Sequence, residues 1–267
     1  MLRPPKVSII GAGNVGSHLA QNLHSAGVHV VEIYSRNIFF ANALSGAVKA
    51  RPVDRLDSLS LEADIFLVAV KDDALAELST VSHLRLPGKI VAHTSGSQPA
   101  SVLSEVSENH GVFWPIQTMT RGVKFNFAEV PIIITGSNSI TNELLQNIAQ
   151  RLSRLVFIMD DEKRMKLHAA AVFANNFTNR IIGIAKEILD SEDLPLEILM
   201  PIIKETIRKI EMSDPVKVQT GPAARNDDKT IEKHLSLLSH NKDWRNVYEL
   251  LTESIKESRK ELQHLKN

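Results

Sequence analysis

The stretch "KVSIIGAGNVGSHLAQNLHSAG", residues 6–27, decides the fold. A short apolar run, 6–10, stops at a glycine and gives way to the helical spacing of Val15, Leu19 and Leu23. That change of period predicts a strand followed at once by a helix, with Gly27 as its stop. Between them lies Gly11-Ala12-Gly13-Asn14-Val15-Gly16, a G-x-G-x-x-G turn. Gly11 permits the tight turn, Gly13 lets the backbone approach a pyrophosphate, and Gly16 allows close helix–sheet packing. The helix N-terminus, at Asn14 and Val15, turns backbone N–H groups to the anion. Glycines serving only a tight turn are the bland alternative, but the strand–turn–helix setting favours a bound dinucleotide.

Outward from this unit, "VHVVEIYSR" (28–36) reads as a second strand, and the apolar run 65–70 as one buried on both faces. "GKIVAHTSGS" (88–97), "GVFWPIQTM" (111–119) and "VPIIITG" (130–136) add three more strands. Strands alternating with helices predict an α/β class protein, a Rossmann doubly wound and mostly parallel sheet. After about residue 155 the pattern turns helical. Residues 160–189 read as one long helix capped by Asp160 or Asp161, and 194–212 as a second with Pro195 in its first turn. A final helix carries Val247, Leu250, Leu251, Ile255, Ser258, Leu262 and Leu265 as a largely apolar stripe. The expected domains are a dinucleotide-binding domain over 1–157 and an all-helical substrate and dimerisation domain over 158–267.

Composition narrows the function by exclusion. A length of 267 residues suits about two domains, and 31 basic against 31 acidic residues leave no net charge to recruit nucleic acid or an acidic membrane. Without cysteine there is no disulfide, thiolate catalysis or cysteine metal site. The ten histidines form no H-x-x-x-H pair and have no carboxylate at ligand spacing, so no metal is expected. No apolar stretch approaches the roughly 20 residues of a membrane span, and the N-terminal run is too short for a signal peptide. A soluble, cytoplasmic protein is the expectation.

The end of the second strand, Tyr34-Ser35-Arg36-Asn37, bears on which dinucleotide binds. An NAD site usually has an acidic residue there for the ribose 2′-hydroxyl. Arg36 can instead hold a 2′-phosphate by a charge-assisted fork, with Ser35 donating a further hydrogen bond. Glu32 is the feature that argues for NAD, and a solvated loop arginine is the alternative for Arg36. NADP, with NADPH favoured over NADH, is the expected cofactor. Val70 and Lys71 at one strand end, and Thr94 and Ser95 at the next, fall where a ligand lies in an open parallel sheet. Thr94 and Ser95 equally suit contact with the nicotinamide ribose or substrate, or capping of the following helix.

The segments "VSIIGAGNVGSHLAQNL", "YSRN", "VAHTSGS", "WPIQTM", "LHAAAVFANNFTN" and "TGPAARNDDKTIEKHL", in that order, resemble a Rossmann-like family with a C-terminal helical domain of unknown function, often assigned as NADP oxidoreductases. More distantly the chain is similar to pyrroline-5-carboxylate reductase, ketopantoate reductase, the β-hydroxyacid dehydrogenases and deazaflavin-dependent NADP oxidoreductases. The resemblance implies an N-terminal NADP domain, a helical C-terminal domain and a homodimer formed through the helices, acting on a small-molecule substrate that it does not specify. Many relatives read His-Pro-Leu-Gln where this chain has Trp114-Pro115-Ile116-Gln117, so a histidine role there does not carry over. Many also read Arg-Gly-Asp where it has Arg225-Asn226-Asp227, and asparagine tolerates the left-handed conformation such a turn needs.

A carbonyl or imine reductase needs a protein group to protonate or polarise its substrate. The β-hydroxyacid dehydrogenases use a lysine with an asparagine four residues later; here Lys166 plus four is Ala170. The same predicted helix offers His168, Asn175 and Asn179, which share one face on an α-helical count, with Asn176 a quarter-turn away. His168 suits a proton donor or substrate orienter and an asparagine a holder of amide or substrate; a helix–helix interface is the alternative. In the Gly-Pro cluster Arg225 can bind a substrate carboxylate. Asp227 can pair with Arg225 or orient His234, and Asp227 or Asp228 can merely cap the helix that carries it. The leading expectation is an NADP(H)-dependent oxidoreductase of a small polar keto or imino compound. A non-catalytic NADP-binding sensor or interaction protein is the alternative, and a structural helical dimer a weaker third.

Overall fold

The computed structural model describes residues 5–80 and 84–264. Its first half follows the strand–helix alternation: β1 (Val7–Ile10), α1 (Asn14–Ser25), β2 (Val30–Tyr34), α2 (Ile38–Val48), β3 (Arg51–Val53), β4 (Ile65–Val68), α3 (Asp72–Thr80), β5 (Ile90–His93) and β6 (Asn109–Pro115). Then come β7 (Ile132–Gly136), α4 (Ser139–Leu152) and β8 (Val156–Ile158). The sheet order is β3-β2-β1-β4-β5-β6-β7-β8. Strands β1 to β6 pair in parallel, β7 runs antiparallel to β6, and β8 is parallel to β7.

Every residue of β1 and β4 is buried because both faces of the sheet are covered. Alternate side chains point to opposite faces. Ile9, Leu67 and Ala92 join Leu19 and Leu23 of α1 in one core, whereas Ile10, Phe66 and Val91 join Leu75 of α3 in the other. Helix α1 ends as its sequence predicts, with Gly27 at φ 75° and Val28 N–H donating to the Leu23 carbonyl. The strands β3 and β8 go unread in the sequence, because three residues are too few to show a period.

Two compact units divide the chain after Ala174. The division falls inside the segment read as one long helix, which is α5 (Asp161–Ala171), a π-helical stretch over Val172–Phe177, and α6 (Thr178–Asp190). Asp160 caps α5, its side chain accepting from Lys163 N–H at 2.8 Å. The π stretch corrects the α-helical count that aligned His168 with Asn175. Its i→i+5 bonding takes more residues per turn, so the heptad spacing no longer marks one face.

The second unit continues with α7 (Met200–Met212), α8 (Pro215–Val218), α9 (Asp228–Leu237) and α10 (Lys242–His264). Residues 194–212 are not one helix opened by Pro195. Leu196–Ile198 form a 3-10 turn, and α7 restarts with Pro201 in its first turn, where a missing N–H costs nothing. Leu265 of the predicted apolar stripe lies outside the described residues.

Candidate functional site

The three glycines of the first turn have three different environments. Gly11 sits at φ 117°, and a Cβ there would overlap the Ala69 carbonyl. A Cβ on Gly16 would overlap the Gly11 carbonyl, so α1 can lie this close to β1 only at a glycine. A Cβ on Gly13 would meet nothing within 4 Å, which leaves open space directly before the turn. Gly13 is also the N-cap of α1, and no side chain caps that helix. The first-turn N–H groups at Asn14 and Val15 therefore have no side-chain acceptor, and the turn fits a pyrophosphate.

A cleft of about 450 Å³ opens from this turn, and Gly11, Gly13, Ser35, Arg36, Val70 and Lys71 all line it. Tyr34, Asn37 and Leu56 also line it and were not singled out from sequence. Asn37 caps α2 by accepting from Phe39 N–H at 3.0 Å, and the Ser35 hydroxyl accepts from Asn37 N–H at 3.3 Å. These bonds set the loop and leave the exposed Arg36 guanidinium without an ion pair among the described residues. Burial raises the Tyr34 phenol above its usual range, against the pull of Arg36.

Glu32, the residue that argued for NAD, is fully buried and already committed. It sits directly across from Arg51 in the β2–β3 pairing and accepts from Arg51 Nε at 2.8 Å and from Ser60 N–H at 3.0 Å. A carboxylate with these partners has no reach to a ribose.

At the end of β5 the chain builds a rigid polar turn. His93 is buried; its Nδ1 accepts from Ser95 N–H at 3.2 Å, so Nε2 carries the proton donated to the Pro99 carbonyl at 3.1 Å. Burial pushes its pKa down to about 4. The Ser95 hydroxyl accepts from the N–H groups of Ser97 and Gln98, both at 3.2 Å, and its own proton is left for the Ser97 hydroxyl at 3.1 Å. Ser97 in turn donates to Asp72 at 2.7 Å. Burial pushes Asp72 up, but hydrogen bonding, led by Ser97, outweighs it and holds the carboxyl below its ordinary range. Ser95 thus works inside the turn, and Thr94 bonds back to the Val68 carbonyl.

Arg164 of α5 clamps this turn from beneath. It is 1% exposed and donates to Asp161 at 2.6 Å, the Thr135 hydroxyl at 2.9 Å, and the carbonyls of Gly96 and Gln98. Asp161 also accepts from Ala100 N–H at 3.1 Å. The clamp brings His168 to the turn: a Cβ on Gly96 would lie 2.5 Å from His168 Cδ2 and 2.6 Å from Trp114 Cε2. The Trp114 and His168 rings are 5.5 Å apart. His93 falls in the strand-end segment 93–97 that the sequence places near a ligand, but its inward bonds carry no sequence signal; nor does Arg164, since an arginine three residues after an aspartate reads as ordinary helix surface.

The remaining candidates lie in the second unit. Asn175 and Asn179 are exposed, with no side-chain hydrogen bond among the described residues. Arg225 ends a 3-10 turn, followed by Asn226 in the left-handed conformation at φ 54°. Asp227 caps α9, accepting from Thr230 N–H at 3.2 Å and the Thr230 hydroxyl at 2.8 Å. Those Thr230 bonds, helped by Arg225, hold its carboxyl below the usual range. His234 bonds to the Tyr248 hydroxyl at 2.8 Å rather than to Asp227. Among the described residues no three His, Asp or Glu side chains gather as metal ligands, and no helix is long and apolar enough to cross a membrane.

Known proteins match this architecture from end to end. The Rossmann-like domain model matches residues 2–117, and Domain of unknown function DUF2520 matches residues 130–255. The structure of BF3122 from Bacteroides fragilis, a proposed NADP oxidoreductase, is 36% identical, with 95% of this chain and 98% of that one covered and a TM-score of 0.85. The chain belongs to that family, a Rossmann-like domain joined to DUF2520. A second protein similar to this DUF2520 chain is TM1727 from Thermotoga maritima, at 20% identity, 96% and 99% coverage and a TM-score of 0.75. The imine reductase from Myxococcus stipitatus in complex with NADP+ shares the fold at 17% identity, 96% and 94% coverage and a TM-score of 0.67. No curated protein matches the sequence.

Proposed function

We propose that this DUF2520 family member is an NADP(H)-dependent oxidoreductase that moves a hydride to or from a small polar keto or imino compound, acting as a homodimer through its helical unit. The observation that carries the cofactor choice is at the end of β2. Glu32 is consumed by Arg51 and Ser60, while Arg36 lines the cleft with no ion pair among the described residues. A free guanidinium suits a 2′-phosphate and offers nothing specific to a 2′-hydroxyl. The family membership shared with BF3122 supports the same choice.

When bound, the nicotinamide supplies or accepts the hydride, and the chain's residues handle binding, orientation and the proton. Gly11, Gly13 and the first turn of α1 would receive the pyrophosphate, and Ser35 and Arg36 the 2′-phosphate. His168 has no hydrogen-bond partner for its ring nitrogens among the described residues, so it can hold the proton that a reduced carbonyl oxygen or imine nitrogen takes up. Trp114 beside it shields one side of the imidazole from water. Asn175, Asn179 and Arg225 remain candidates for orienting substrate, with Asp227 committed first to its cap. A binding-only protein is the second reading, favoured by Lys166, which pairs with Glu162 at 2.6 Å and has Ala170 four residues on.

Titration with NADPH and NADH tests the cofactor assignment. Arg36→Ala should weaken NADPH on the order of 10- to 100-fold, the loss of a charge-assisted hydrogen bond, and leave NADH little changed. Equal losses overturn the NADP assignment. NADPH consumption across a panel of keto acids and cyclic imines separates the two readings; tight binding without turnover would favour the sensor.

A further inference from the structure

The segment after β6 folds over the start of α1. Val123 N–H donates to the Thr120 carbonyl at 3.1 Å, and Gly122 takes φ 82°, which makes Thr120–Val123 a turn of the type that needs glycine third. Arg121 stands at the second position of that turn. Two anchors fix it to α1: the buried His18 donates from Nε2 to the Thr120 carbonyl at 2.9 Å, and the His18 and Phe125 rings lie 4.8 Å apart.

So held, the Arg121 guanidinium donates to the carbonyl of Ala12, the residue between Gly11 and Gly13. Its central carbon also lies 4.7 Å from the centre of the Phe40 ring, in the first turn of α2 and four residues past Arg36. The ring takes the face of the guanidinium and the carbonyl one of its five N–H groups, leaving donor edges free. No carboxylate pairs with it among the described residues. A cation beside two helix N-termini has the wrong sign for the protein by itself, because both helix dipoles are positive there. An anion at the same place reverses that sign.

We propose that Arg121 is a ligand for a phosphate of the dinucleotide, delivered from a strap opposite the glycine turn. The proposal rests on the dinucleotide reading above and adds to it a residue from the segment after β6. Either the pyrophosphate or the 2′-phosphate presents the required chemistry, since the guanidinium touches both the glycine turn and the start of α2.

The test measures dissociation constants of NADPH and NADH for the whole protein and for Arg121→Ala and Arg121→Gln. The glutamine variant keeps an N–H donor without the charge, and His18 and Phe125 still anchor the strap, so it separates anion binding from holding the strap. Both variants should weaken NADPH on the order of 10-fold or more. A matching loss for NADH assigns the pyrophosphate; a loss confined to NADPH assigns the 2′-phosphate. Wild-type affinity in Arg121→Gln overturns the proposal, whether or not Arg121→Ala folds. Failure of the unaltered protein to bind either dinucleotide instead overturns the reading on which it rests.

Discussion

His93 illustrates how burial converts an ordinary titrating residue into a structural one. Its ring is neutral in the folded protein, with a pKa near 4, whereas an unfolded chain binds that proton near pH 6.5. Between those values the unfolded state holds the extra proton, so stability falls as pH drops from about 6.5 to about 4 and is unaffected by this group above that window. The shift corresponds to a loss of about 3 kcal/mol across the window. Thermal unfolding at pH 7.0 and 4.5 measures it, and His93→Asn should narrow the difference between the two melting temperatures. An unchanged difference would assign the pH dependence to other groups. Glu32 gives the complementary lesson. In the sequence it argues for NAD, but its partner Arg51 sits on β3, a strand too short to be read, so the pairing that commits it was hidden. Arg36, by contrast, was legible because its position depends on counting from the end of one strand.

Among the elements, helices with local stops and caps were the most legible. Gly27 ends α1, Asp160 opens α5, and Asp227 opens α9, each through contacts within five residues in the chain. The π stretch over Val172–Phe177 was not, because "VFANNF" has no glycine or proline to mark a break in the helix. Its effect on the candidate site is direct: the seven-residue spacing that aligned His168 with Asn175 does not survive it. The cap reading of Asp227 makes a clear prediction. Asp227→Ala should lower the melting temperature by removing both Thr230 bonds while leaving NADPH affinity unchanged. Lost turnover at an unchanged melting temperature would instead favour a substrate role.

For the molecule as a whole, the second unit is short of a core. Among its described residues the buried hydrophobics are Ala223, Ile231 and Leu238, and α6 and α7 bury none. Meanwhile Ile198, Ile202, Met212 and Leu250 are 56%, 64%, 74% and 68% exposed. These exposed apolar side chains are the surface that the proposed homodimer would cover. Sedimentation at micromolar concentration should give a dimer, and Ile202→Asp with Met212→Asp should shift it toward monomer. A wild-type monomer at that concentration would overturn the homodimer.

The β1–turn–α1 unit, the doubly wound sheet and the basic end of β2 are legible in the amino-acid order alone. Each follows from sterics or periodicity over a few neighbouring residues: the carbonyls of Gly11 and Ala69 leave no room for a Cβ, and strand and helix periods differ. Tertiary structure decided which polar groups are free. Glu32 and Ser95 were spent on internal partners, Arg164 was buried under the turn after β5, and Arg121 was carried 109 residues back to Ala12. Those outcomes depend on contacts between distant segments, and a hydrogen-bonding side chain shows no sign in the sequence of which distant partner will claim it.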